Sequence, residues 1–238
     1  MRPTANFDRF KPDIRYAHDL RPVLYQPEML EDDFPAYFMY RDSYRNDGER
    51  RLIEEARLRF DYTITPPNMI GREYIKTYGH YHPKAGDLSY PEVYQVLEGR
   101  AVFLLQKRGE KDDIIENFAV VEVDQGEIII VPPEYGHVMV NKTDERLITS
   151  NWVCRDFRSI YEPYTNFRGA CYYLTADGWI KNRNYRNVPE ISFATNRSDR
   201  ILRVKGDMYE LVDSLDALEF LKNPDEYRDM FEEVLDFK

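Results

Sequence analysis

Three of the four histidines in this chain of 238 residues fall within one segment, residues 74–141. His80 and His82 are separated by a single residue, Glu92 follows them, and His137 lies near the end of the segment. Imidazole nitrogens and carboxylate oxygens are typical ligands of divalent transition metals. The pattern therefore predicts a metal site with four protein ligands, in which an octahedral ion would keep two positions open for water or substrate.

These ligands must be brought together by the strands that carry them. Residues 72–78, REYIKTY, predict a strand that leads into the histidine pair, and side chains at i and i+2 of a strand point to the same face. Residues 92–98 predict a second strand that begins at Glu92, and the apolar residues 125–133 predict a buried strand shortly before His137. We therefore expect the ligands to converge inside a small β barrel.

Short strands separated by turn residues continue through the middle of the chain, as in a β barrel or sandwich. Because only Gly99 and Arg100 separate residues 92–98 from residues 101–108, these two strands are expected to pair as a hairpin. Further strands are predicted at 35–44, in the second half of 49–67, at 114–124, 137–143 and 146–154, with a hairpin at 169–182.

The two ends of the chain differ from its middle in composition and in the spacing of apolar residues. Residues 1–34 are rich in proline and predict an extended arm, where His18 should lie at the surface. Residues 35–190 form the predicted barrel. Residues 191–238 contain leucines at helical spacing and an Asn-Pro break, so we expect a C-terminal extension with two amphipathic helices.

Composition narrows the classes of function. A hydrophobic content of 42% is enough for a core, and a net charge of −10 argues against general binding to nucleic acids or to anionic membranes. We find no apolar leader at the N-terminus and no apolar stretch long enough to span a membrane. With only two cysteines, Cys154 and Cys171, the chain fits a reducing cytoplasm.

The histidine pair, Glu92 and Gly99, followed by a Gly-x5-Pro-x4-His-x3-Asn pattern, resemble the two motifs of the cupin superfamily. The sequence departs from the motifs in one residue and in one spacing. Glu134 stands where glycine is usual, and nine residues separate His82 from Glu92, more than is usual. The stretches GREYIKTYGHYHPK, PEVYQVLEG and VPPEYGHVMVN are similar to the cupin-type glucose-6-phosphate isomerases. The resemblance implies a mainly β cupin barrel, a double-stranded β-helix or jelly roll.

The resemblance also implies an activity. Enzymes of this family are metal-dependent aldose–ketose isomerases that interconvert glucose 6-phosphate and fructose 6-phosphate through a metal-stabilised enediolate. The resemblance implies that the metal ligands are His80, His82, Glu92 and His137, and that Glu92 is also the base. Because a cation lowers the basicity of its carboxylate ligand, a hydride shift is the alternative mechanism. We expect one divalent ion per subunit, iron in preference to manganese, nickel, cobalt or zinc, and a homodimer.

Substrate contacts are expected from hydroxyl groups and from a glycine amide that a ligand can approach closely. The family's phosphate and sugar contacts correspond to six residues, Thr63, Thr77, Gly79, Tyr94, Tyr161 and Tyr37. Two positions differ from the family's pattern, since Tyr78 replaces an expected lysine and Ser159 an expected histidine. These differences concern the sugar contacts more than the metal.

Two other classes of function are compatible with the motifs. One is another cupin enzyme, either an isomerase of mannose 6-phosphate or of another sugar phosphate, or an iron-dependent oxygenase. The second is a non-catalytic cupin that binds a sugar. The paired threonines favour a sugar-phosphate isomerase over an oxygenase, and the four intact ligands argue against a barrel that only binds.

Overall fold

Two β sheets face each other across the main core in the computed structural model, which describes residues 9–237. The larger sheet contains, in spatial order, β1 (Asp13–Tyr16), β2 (Pro35–Tyr40), β3 (Leu58–Thr65), β11 (Leu147–Cys154), β6 (Glu92–Glu98) and β9 (Ile128–Val131). The second contains β10 (Tyr135–Val140), β7 (Arg100–Arg108), β8 (Ile115–Asp124), β14 (Ser192–Asn196) and β15 (Leu235–Phe237). A third sheet contains β13 (Gly178–Lys181), β12 (Tyr172–Thr175), β5 (Glu73–Tyr74) and β4 (Met69–Ile70).

The core between the two large sheets is made by alternate side chains of their strands. Tyr94 of β6 contacts Phe103 of β7 across it, with ring centroids 5.2 Å apart. All four residues of β9 are buried, as its continuous apolar run predicts. The prediction of a mainly β cupin barrel is confirmed.

The predicted hairpin between residues 92–98 and 101–108 is wrong. β6 pairs with β9 and β11, whereas β7 pairs with β8 and β10 in the opposite sheet. The chain changes sheet at Gly99, whose φ of +81° lies in the region that glycine favours. A Cβ there would lie 2.8 Å from the backbone oxygen of Arg146. A short connection thus links two sheets where the sequence suggested a turn within one.

The predicted strand over residues 72–78 is mostly irregular. Regular pairing is confined to β5, after which only isolated bridges remain, from Lys76 to Val140 and from His80 to His137. Gly79 has a φ of +86°, which a continuous strand does not permit. Both histidines of the pair nevertheless face the same cavity.

The N-terminal arm has more structure than expected. β1 pairs antiparallel with β2, and two 3₁₀ helices follow it, Ala17–Val23 and Pro27–Met29. His18 is exposed, as predicted, while residues 1–8 of the expected arm lie outside the described residues. The buried ammonium of Lys76 donates to the carbonyl oxygen of Val23, which fastens this arm to the barrel.

The prediction of two amphipathic helices in the C-terminal extension is only partly right. Its helical segments are α3 (Ser198–Ile201), a 3₁₀ segment at Met208–Leu221, another at Pro224–Tyr227, and α4 (Arg228–Glu233). The first 3₁₀ segment kinks at Ser214, which has φ −149° and ψ 49°, so its leucines do not form one continuous stripe. β14 and β15 of the same extension lengthen the second sheet, where β14 runs parallel to β8.

Two further α-helices complete the fold, α1 (Asp47–Glu55) and α2 (Glu162–Asn166). The Asn46 side chain accepts hydrogen bonds from the backbone amides of Gly48 and Glu49, and this N-cap explains why a helix precedes β3 in the stretch 49–67. Cys154 and Cys171 are both buried free thiols. Within residues 9–237, no helix has the length and apolarity needed to cross a bilayer.

Candidate active site

Four side chains converge at one place in the barrel. The nearest ligand atoms of His80, His82, Glu92 and His137 all lie within 4.8 Å of one another. Nε2 of His80 and Nε2 of His82 are 3.1 Å apart. Oε2 of Glu92 lies 3.4 Å from Nε2 of His82 and 3.3 Å from Nε2 of His137. The structure thus brings together all four residues that the sequence predicted as ligands.

Backbone pairing sets this geometry, because an isolated bridge joins His80 to His137 of β10. The amide of His80 donates to the carbonyl oxygen of His137 and the amide of His137 to that of His80, at 3.3 and 3.0 Å. Glu92 is the first residue of β6 and lies opposite Val131 of β9. Nδ1 of His82 contacts the carbonyl oxygen of Tyr90 at 2.9 Å. A carbonyl can only accept, so Nδ1 carries the proton and Nε2 presents a lone pair to the cluster.

The electrostatics of the cluster suit a cation. Burial lowers the pKa of His82 to about 4 and that of His80 well below its ordinary value, so both imidazoles are neutral at pH 7. Burial alone would raise the pKa of Glu92, but the contacts of its carboxylate with the imidazoles of His137 and His82 outweigh burial and lower this pKa. Glu92 is therefore ionised, and the cluster contains one negative oxygen beside the neutral imidazoles of His80 and His82.

One buried oxygen in the cluster gives further support for a bound cation. Across the described part of the chain, Oε2 of Glu92 finds no hydrogen-bond partner, although it is fully buried. A buried ionised oxygen without a donor is costly, by about 1–3 kcal/mol or more. A divalent transition metal bound by this oxygen and the three Nε2 atoms would remove that cost, so the residues fit such an ion.

A cavity of about 420 Å³ opens beside the cluster. All six residues predicted to contact substrate line it, namely Thr63, Thr77, Gly79, Tyr94, Tyr161 and Tyr37. The hydroxyl oxygen of Thr77 accepts a hydrogen bond from the amide of Met139 at 3.0 Å. That bond leaves the hydroxyl hydrogen of Thr77 free to donate to a ligand.

Gly79 is held in a conformation and a space that only glycine fits. Its φ is +86°, and a Cβ would lie 2.6 Å from the ring of Tyr164 and 2.7 Å from Val138. Among residues 9–237, no group accepts a hydrogen bond from its amide. This amide is a second donor at the cavity wall, close in sequence to the hydroxyl of Thr77.

The tyrosines of the cavity are arranged around the cluster. The hydroxyl of Tyr94 lies 3.1 Å from Nε2 of His137, and the ring of Tyr161 lies 5.5 Å from that of His80. The hydroxyl of Tyr37 accepts a hydrogen bond from the amide of Tyr78 at 3.3 Å. Tyr78, the residue in place of a lysine, packs its ring against Tyr161 at 5.6 Å.

Several residues of the cavity wall were not predicted. They are polar or aromatic side chains from β3, β11 and the segments that follow β2 and β11, namely Arg41, Arg59, Asp61, Asn151, Phe157 and Arg158. Strand periodicity could have found two of them, because Arg59 and Asp61 share a face of β3 with Thr63. Arg59 and Asp61 form an ion pair at 2.9 Å. Exposed Arg158, by contrast, has no ion-pair partner among the described residues.

Comparison with known proteins decides the family. The family described as glucose-6-phosphate isomerase (GPI) matches residues 14–190, about three quarters of the chain. The chain belongs to this family. The match ends before the C-terminal extension, and it contains every residue of the candidate site.

Individual glucose-6-phosphate isomerases show the same relationship. The enzyme of Thermococcus litoralis is 29% identical over 150 residues, which cover 61% of this chain and 70% of the relative. That of Thermococcus onnurineus is 31% identical over 122 residues, and this match spans only 56% of its length and 51% of this chain. Among solved structures, oxalate decarboxylase of Lactobacillus farciminis matches with 15% identity and a TM-score of 0.40, over 65% of this chain and 33% of that one.

Proposed function

We propose that this protein is a metal-dependent isomerase that interconverts glucose 6-phosphate and fructose 6-phosphate. The observation that carries the proposal is the convergence of His80, His82, Glu92 and His137 in the same cavity as Thr77 and its free hydroxyl hydrogen. The cluster thus suits the carbonyl of a sugar. Membership of the glucose-6-phosphate isomerase family supports the assignment.

At the cluster, Glu92 serves as the base. A bound divalent cation, iron in our proposal, supplies positive charge that polarises the sugar carbonyl. The ionised carboxylate of Glu92 removes the proton from C2 of the aldose and returns it to C1, while the hydroxyl proton on O2 passes to O1, so that the aldehyde becomes the ketone through the enediolate form of the sugar. Burial raises the pKa of Tyr94 well above its ordinary value, so its phenol stays protonated and donates to a substrate oxygen.

The chain's own donors in the cavity wall hold the phosphate. We assign this role to the hydroxyls of Thr63 and Thr77 and to the amide of Gly79. Three neutral donors orient the phosphate dianion, and Arg158 at the cavity wall adds long-range attraction for an anionic substrate. Tyr37 and Tyr161 contribute the wall against which the sugar lies.

We also propose that the protein is a homodimer. β1 is the outermost strand of the large sheet, and within the described residues its second edge is not paired. Ile14 and Tyr16 on this strand are exposed by 38% each. Apolar edge strands are typical sites of pairing between subunits. Light scattering coupled to size exclusion should give twice the mass of one chain, and a monomer would contradict the proposal.

A coupled assay tests the activity. Protein stripped with a chelator receives fructose 6-phosphate, and Fe²⁺, Mn²⁺, Ni²⁺, Co²⁺ or Zn²⁺ is added back in separate reactions. We expect glucose 6-phosphate to form only after metal addition, with the highest rate for Fe²⁺. His137→Ala serves as the control, since it should lose both metal and turnover.

Mannose 6-phosphate is assayed in parallel as an alternative product and substrate. Turnover of mannose 6-phosphate with no reaction of glucose 6-phosphate would assign the same site to another sugar-phosphate isomerase. Protein that rebinds metal and yet forms no product from either sugar would overturn the proposed function.

A further inference from the structure

We propose that the loop of residues 83–91 positions His82 for the metal and that Asp225 of the C-terminal extension and Glu134 clamp this loop from two sides. The inference rests on the metal site of the proposed function. It concerns the longer segment between His82 and Glu92 and the extension outside the family match, two features that the isomerase activity alone does not explain.

The end of the loop orients His82. The carbonyl oxygen of Tyr90 accepts the hydrogen bond from Nδ1 of His82 at 2.9 Å. The ring of Tyr90 stacks on Phe157, with centroids 4.7 Å apart and planes 16° apart, and Phe157 in turn contacts the ring of His82 at 4.5 Å. A shift of Tyr90 therefore changes both the proton position and the orientation of a candidate ligand.

The carboxylate of Asp225 binds the tip of the loop. One of its carboxylate oxygens accepts a hydrogen bond from the amide of Asp87 at 2.8 Å, and the other from the amide of Leu88 at 3.1 Å. Arg228 bonds the side chains of Asp87 and Asp225 together. A Cβ on Gly86 would lie 2.2 Å from Asp225, so the approach of this carboxylate requires glycine there.

The carboxylate of Glu134 binds the loop at Lys84 and Ser89. Its carboxylate accepts hydrogen bonds from the amide of Ser89 at 2.7 Å and from the ammonium of Lys84 at 2.8 Å. The hydroxyl of Ser89 accepts from the amide of Glu134 at 2.6 Å, so the two residues bond reciprocally.

The backbone of Glu134 has a conformation that is strained for glutamate. Its φ is +70°, a conformation that glycine adopts at no steric cost and that strains glutamate. The bonds of Glu134 to Ser89 and Lys84 explain why a strained glutamate stands at this position.

Asp225→Asn tests the clamp in the full-length protein. Replacing one carboxylate oxygen with an amide nitrogen places a donor against a backbone donor, so we expect faster hydrogen exchange at the amides of Asp87 and Leu88. We expect Co²⁺, followed by its visible absorption, to bind about tenfold more weakly or worse, as is typical when a partner of a ligating histidine is disturbed. Asp229→Asn, at an exposed aspartate of α4, is the matched control and should change neither quantity.

A second pair of variants separates positioning from stability. Glu134→Gly relieves the backbone strain, so its melting temperature should fall little, yet it should weaken Co²⁺ binding because it loses the bonds to Ser89 and Lys84. Glu134→Gln keeps an acceptor oxygen and should restore Co²⁺ affinity to within a few-fold of the original protein.

The outcomes distinguish the two proposals. If the original protein binds Co²⁺ and both Asp225→Asn and Glu134→Gly bind it equally well, the clamp is overturned while the metal site stands. If the original protein binds no Co²⁺ at all, the metal-dependent function itself is overturned, and the clamp falls with it. Weaker binding in both variants, with the Asp229→Asn control unchanged, supports the clamp.

Discussion

Asn151 donates a hydrogen bond from Nδ2 to Oε1 of Glu92 at 2.6 Å, and both side chains are buried. The register explains the contact, since Asn151 of β11 lies opposite Tyr94 of β6, two residues from Glu92 on the same face of the strand. Because Oε1 is occupied in this way, Oε2 is the oxygen that faces His82 and His137. Asn151 thereby selects which oxygen of Glu92 meets the candidate metal.

Asn151→Ala should therefore weaken both metal binding and turnover. The change leaves Oε1 buried without a donor, which costs about 1–3 kcal/mol, and it frees the carboxylate to rotate. We expect metal affinity to fall about 10- to 100-fold, as measured by competition with a chelator, with kcat reduced at saturating metal.

The control for this variant lies on the same face of the same strand. Thr149 has a buried hydroxyl for which the described residues offer no hydrogen-bond partner. Thr149→Val should preserve metal affinity and kcat, and its midpoint in urea unfolding should stay the same or rise. Equal losses in Asn151→Ala and Thr149→Val would mean that the effect comes from the fold and not from Glu92.

Thr77→Val should raise KM for fructose 6-phosphate by about tenfold or more, because it removes a donor to the phosphate that the sugar carries in the ground state as well as in the transition state. It also removes the acceptor of the Met139 amide, so Thr77→Ser, which keeps the hydroxyl, is the control. Steady-state kinetics with both variants measures the split. A fall in kcat at unchanged KM would contradict the phosphate role.

Glu92→Gln should retain part of the metal and lose turnover by about 10²-fold or more, the usual scale for loss of a general base. Product formed by the original protein in deuterium oxide should carry solvent deuterium at C1 or C2, since a carboxylic acid exchanges its proton with water. Mass spectrometry of the sugar phosphate measures this directly. Product without any deuterium would favour the hydride shift and remove the base role from Glu92.

His18 provides a pH-dependent contact away from the cavity. A hydrogen bond from Nδ1 to Asp33 at 2.6 Å is the main cause that raises the pKa of His18 above its ordinary value of 6.5. Because the folded pKa is the higher one, the stabilisation is fully present below pH 6.5 and disappears as the pH rises through the folded pKa. NMR titration should show the pKa of His18 falling towards 6.5 in Asp33→Asn, and an unchanged titration would contradict this assignment.

The sequence was most informative where local chemistry and spacing coincide. The histidine pair, Glu92 and His137 could be found because few side chains bind transition metals and because strand alternation sends i and i+2 to one face. All ten predicted site residues line one cavity. Their individual roles stay predictions, as do the division of the chain at residues 34 and 190 and the cytoplasmic location.

Non-local relationships were beyond the sequence. Gly99 has the signature of a turn, but whether β6 and β7 share a sheet is decided by their other partners, β9, β11, β8 and β10. The kink at Ser214 likewise depends on packing and not on helical spacing. The contacts of Asp225 with the loop join residues about 138 positions apart, and no local sequence pattern predicts such a contact.

That separation has a consequence for the order in which the protein is made. Asp225 is added to the growing chain 138 residues after Asp87. At about 5–20 residues per second, synthesis takes roughly 7 to 28 s to cover this interval. All four candidate ligands have been translated well before it ends, while the loop beside His82 still lacks its hydrogen bonds to Asp225. A nascent chain would thus meet cellular metal ions with a looser binding site than the finished protein presents.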